Sequence, residues 1–103
     1  MSQHFYSTQD AGGTGITIMM GYDRPLGHYF LVVERDGTED PIYTNLRDDG
    51  PFHKSLWYYR AKLDELGLAV PSAMYREIDR DQKNNIGNRR VLWDKNGIVN
   101  VSP

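Results

Sequence analysis

The sequence has no cysteine, so disulfides, thiolate metal sites and a thiol nucleophile are all excluded within this chain. It also lacks any apolar run of membrane-spanning length, and the stretch from Met1 to Asp10 has neither the basic nor the apolar segment of a secretory leader. A cytoplasmic location with no membrane partner is the expectation. A surplus of one charge is missing too: twelve basic against fourteen acidic residues leave a net charge of -2, so no global field draws the chain onto nucleic acid.

Catalytic signatures are equally sparse. The three histidines, His4, His28 and His53, are scattered over an N-terminal arm, a strand and a helix start without ligand spacing, which predicts no metal and no cofactor and reads them as surface or interface groups. No Gly-x-Ser-x-Gly surrounds any serine, and the glycines at 12, 13 and 15 lead into a strand with no Lys-Ser/Thr pair behind them, unlike a phosphate loop.

What is present is the composition of one small globular domain. Residues 1–14 are polar and end in glycines, which predicts a flexible arm before a single domain over 15–103. Three runs rich in β-branched and aromatic residues follow: Ile16–Tyr22, His28–Glu34 and Pro41–Asn45. Pro25 and Gly27 shape the first connection, and Asp36-Gly37 predicts a type I′ hairpin turn at the second.

From Phe52 the period becomes helical. Phe52, Leu56, Tyr59, Leu63 and Leu66 alternate at spacings of four and three, which predicts a helix over 52–66 ending at Gly67. Val70-Pro71-Ser72 opens a second helix with an apolar stripe of Val70, Ala73, Met74 and Ile78, and a polar side that includes Arg76, Glu77, Asp79, Arg80, Asp81 and Lys83. Asn85 or Gly87 suits its left-handed end, with Ile86 folding back. Two short strands, Arg89–Asp94 and Ile98–Val101, then flank the turn Asp94-Lys95-Asn96-Gly97. The predicted fold class is α+β, ordered βββ-αα-ββ, with a mostly antiparallel sheet and a helical hairpin packed on one sheet face.

Alternation places Tyr29, Leu31 and Val33 on one side of the second run and Phe30 and Val32 on the other. A strand apolar on both sides needs cover on both sides, and two helices shelter one. Met19, Phe30 and Val32 are therefore expected on a surface that meets a protein partner or a second copy. Trp57, Tyr58 and Arg60 join them: Trp57 and Tyr58 cannot both share the stripe of Leu56 and Tyr59, and these residue types dominate interface hot spots. The leading expectation is a small non-enzymatic accessory or inhibitor acting by protein-protein binding, possible as a homodimer.

Two alternatives come from other residues. Arg76, Arg80, Lys83, Arg89 and Arg90 form a local basic run beside asparagines, which would suit nucleic-acid phosphates if the interspersed carboxylates faced away. Asp23 and Arg24, next to Tyr22, would suit a small enzyme site if buried in a cleft. Finally, Gly21–Leu26, Tyr59–Leu63 and Asn84–Arg89 together resemble short uncharacterised bacterial proteins. The resemblance implies a bacterial, cytosolic origin and carries no activity, ligand or residue role.

Overall fold

The computed structural model describes residues 1–51 and 54–103. The helix start expected at Phe52 and the histidine at position 53 lie outside the described residues. The fold is α+β: a mixed sheet with strand order β4-β3-β2-β1-β5-β6 and two helices. The strands are β1 Ser2–Gln9, β2 Gly15–Asp23, β3 His28–Arg35, β4 Tyr43–Thr44, β5 Arg89–Asp94 and β6 Gly97–Ser102; the helices are α1 Leu56–Glu65 and α2 Ser72–Lys83.

The largest departure from the sequence pattern is β1. The supposed flexible arm is an interior strand, antiparallel to β2 and parallel to β5. That parallel pair makes the sheet mixed rather than all hairpin-linked, and it moves β3 away from the middle of the sheet. Hydropathy misses β1 because its inward side chains are polar and satisfied. Ser2 Oγ accepts from the backbone N–H of Tyr22 at 3.1 Å, and both nitrogens of buried His4 are hydrogen-bonded. The glycines at 12 and 13 belong to the β1–β2 loop, where Asp10 Oδ1 accepts from the N–H groups of Gly12 and Thr14.

Other elements hold closer to expectation. The third run shrinks to Tyr43–Thr44 and passes into a 3-10 turn over Asn45–Arg47. In the β3–β4 connection the Asp36-Gly37 turn has positive φ only at Gly37, so it is not type I′. Ser55 caps α1, accepting from the N–H of Tyr58. Each helix ends in a Schellman motif: Gly67 is left-handed after α1, with Leu68 N–H bonded to Leu63 C=O, and Asn85 is left-handed after α2, with Ile86 N–H bonded to Asp81 C=O.

Register explains the core. Ile18 faces Val33 and Tyr6, Met20 faces Leu31 and His4, and His4 faces Val91 across the parallel pair. Paired residues share a sheet face, and these strand residues bury with Tyr59 and Leu63 of α1 and Met74 and Ile78 of α2 in one cluster. Burying a side chain of this size stabilises by about 1.5–3 kcal/mol, so the fold rests on this single face. No helix among the described residues is long and apolar enough to cross a membrane.

Candidate functional site

The opposite sheet face carries Phe5 on β1, Met19 and Gly21 on β2, Phe30 and Val32 on β3, and Leu92 on β5, as the register dictates. None of these joins the core cluster. Phe30 is nevertheless buried, because its ring lies against Gly21: a methyl group placed on Gly21 would come within 3.0 Å of Phe30 Cζ. Met19 and Val32 are half-buried. Arg90 caps Phe5, its guanidinium 4.7 Å from the ring.

Exposure rises toward β6. Leu92, Ile98, Val99 and Val101 on the last hairpin are 38%, 43%, 62% and 48% exposed, and β6 is a sheet edge. Leu92 pairs with Asn100 and Trp93 with Ile98, which leaves Val99 in a bulge that turns it outward. Natural edges are usually blunted by charge or by brevity. The β4 edge is two residues long; β6, Gly-Ile-Val-Asn-Val-Ser, has no charged residue.

A second feature lies on the helical side. Leu56, Trp57 and Arg60 of α1, with Ser55, and Tyr75, Arg76 and Asp79 of α2 enclose a half-open cleft of about 370 Å³ against Tyr29 of β3. Trp57 is 76% exposed. The Arg60 guanidinium sits 5.7 Å from the Trp57 ring and 5.4 Å from the Tyr75 ring. Burial pushes the Tyr75 hydroxyl up to about 12 against the lowering pull of Arg60. Burial also raises Tyr29, followed by the nearby charge of Asp79 and the hydrogen bond to it. Asp79 is bound on its other oxygen by Lys83 at 2.9 Å. Among the described residues, no carboxylate pairs with Arg60 or Arg76.

Tyr58 points elsewhere. Its hydroxyl and that of Tyr43 both donate to Asp48 Oδ2, and Lys54 and Lys62 lie over its ring. Burial, then the bond to Asp48, carries the Tyr43 hydroxyl far above the usual phenol range. The six candidate partner-binding residues therefore divide: Met19, Phe30 and Val32 on the open face, Trp57 and Arg60 at the cleft, and Tyr58 in an internal cluster.

The basic run is dispersed as well. Arg80 is paired with Glu77, Lys83 with Asp79, and Arg89 with both Asp81 and Glu77. Arg90, one residue on, occupies the other sheet face over Phe5, and Arg76 lines the cleft. Asp23 accepts from the N–H of Leu26 and so orders its own loop. Arg24 packs on Gly87, whose added methyl group would meet the guanidinium at 3.2 Å.

A buried polar chain escaped the sequence pattern. Trp93, His4, Asp81 and Arg89 are linked in that order by hydrogen bonds of 2.9, 2.7 and 2.6 Å. Asp81 is 1% exposed, so it belongs to the inward side of α2 and not to the polar one. The signal was available: Met74, Ile78 and Asp81 continue the four-and-three spacing. Burial works against ionising Asp81, but hydrogen bonds from His4, Ser2 and Arg89 outweigh it and hold the carboxyl below its usual range.

Comparison with protein-family models, with curated proteins and with solved structures finds no match to this chain.

Proposed function

We propose that this is a non-enzymatic binding module that works by protein-protein association, and that its first partner is a second copy of the chain docked along β6. The observation that carries the reading is the concentration of exposed apolar side chains, Leu92, Ile98, Val99 and Val101, on a hairpin whose outer strand is an unpaired edge. Self-pairing is favoured because β6 carries no charge, so no repulsion between charged side chains opposes a second copy along this edge. The half-buried Phe5, Met19 and Val32 continue inward from Leu92 on one face of the sheet, while Ile98 and Val101, paired with Trp93 and Val91, stand on the other, so the apolar side chains flank the β6 edge on both sides.

Light scattering across a wide concentration range tests it, on the parent chain and on V99K/V101K. The parent is expected to self-associate, and the double variant is expected to stay folded by circular dichroism but remain monomeric, since lysines on an edge repel a second strand. A parent that stays monomeric at the highest reachable concentration, or a double variant that associates as well as the parent, overturns the reading.

A further inference from the structure

The cleft between α1 and α2 is on the helical side of the molecule and plays no part in β6 pairing. We infer that it is a binding site for a planar ring carrying an oxyanion, either the phosphate of a small nucleotide or the carboxylate of an aromatic acid. Three features of the cleft, each independent of the others, carry the inference.

The first is charge. Arg60 and Arg76 come from different helices, both line the cleft, and neither has a carboxylate partner among the described residues. Every other arginine or lysine of α2 is in an ion pair. The one carboxylate of the cleft, Asp79, already accepts from Tyr29 and Lys83. A guanidinium presents a planar fork of N–H donors that matches carboxylate or phosphate oxygens.

The second is the aromatic platform. Trp57 presents 76% of its surface to solvent, an unusual position for the largest side chain, and Tyr29 and Tyr75 line the same space. Arg60, lying near the rings of Trp57 and Tyr75, keeps its guanidinium close to where a stacked ring would sit. Stacking on such a surface tolerates many ring types, whereas the oxyanion requires the arginines.

The third is size. About 370 Å³ lies at the lower end of small-molecule sites, enough for one ring system with its anionic group and too little for a long polymer segment.

Isothermal titration calorimetry with adenosine 5′-monophosphate and, separately, indole-3-acetate tests the proposal, with inorganic phosphate and adenosine as the two halves of the ligand. Saturable binding of at least one whole ligand is expected, and the tighter of the two assigns the source of the oxyanion. R76A and W57A are each expected to weaken it about tenfold, the size of one lost charge-assisted or stacking contact. R80A, outside the cleft, is expected to bind like the parent. All three positions are exposed, and circular dichroism checks that the variants fold. Absence of saturable binding by either ligand overturns the proposal. So does inorganic phosphate binding as tightly as the whole nucleotide, or R76A and W57A binding as the parent does. A monomeric parent chain that still binds ligand would remove the β6 dimer and leave this site standing.

Discussion

Trp93 Nε1 lies 2.9 Å from Nδ1 of His4 and donates to it, which leaves the imidazole proton on Nε2, directed at Asp81 Oδ2 2.7 Å away. An indole N–H is only a donor, so His4 must keep Nδ1 as an acceptor. The imidazole is thereby held in one orientation between indole and carboxylate, and Asp81 is also paired with Arg89 at 2.6 Å. Each member of the chain has a partner that cannot be exchanged for water without opening the core.

Asp81 therefore makes stability pH-dependent in a defined direction. Its native carboxyl titrates below the ordinary value of 3.8, so on acidification the unfolded chain takes up the proton first. The stabilisation is fully present above that value and is lost as the pH falls through the lower native one. D81N, which leaves Arg89 without its buried partner, is expected to cost about 3 kcal/mol at neutral pH. The acid limb of stability should also become shallower. Urea unfolding at a series of pH values measures both, and an unchanged acid limb would contradict the role given to Asp81.

At Gly21 of β2 the backbone of β1 leaves no room for a side chain. An added methyl group would sit 1.9 Å from the carbonyl oxygen of Ser2, which is backbone and cannot swing aside. G21A should cost about 3 kcal/mol or more through separation of the two strands. G37A, at φ 81 with open space around it, should cost only the left-handed strain of about 1–2 kcal/mol. Comparative thermal unfolding decides between them.

Phe30 and Glu34 share a face of β3, yet one is buried and the other exposed. F30D puts a carboxylate against Gly21 and is expected to destabilise by about 3 kcal/mol or more. E34K should stay within about 0.5 kcal/mol of the parent. Similar unfolding curves for the two variants would remove Phe30 from the packed part of that face.

These same residues show what the sequence made legible. Local chemistry came through: the stripe of Leu56, Tyr59 and Leu63, the left-handed ends at Gly67 and Asn85, and the outward displacement of Trp57 all follow from spacing within a few residues. What did not come through is whatever depends on distant partners. β1 has a polar inward row that gains its place only from Tyr22, Trp93 and Asp81, so periodicity of hydrophobic residues had nothing to register. The cleft is similar: Arg60 and Arg76 look like ordinary solvated cations until the two helices bring them around Tyr29. The basic run looked continuous along the chain, but strand alternation sends Arg89 and Arg90 to opposite faces.

The parallel pair between β1 and β5 sets Ser2 opposite Arg89, so the interior of the sheet joins the two far regions of the sequence. Bringing them together carries a loop-closure entropy that must be met before the pair's hydrogen bonds can form. Hairpins and helices elsewhere draw on local contacts, but the completed sheet waits on that long-range encounter, the kind of pairing that slows folding.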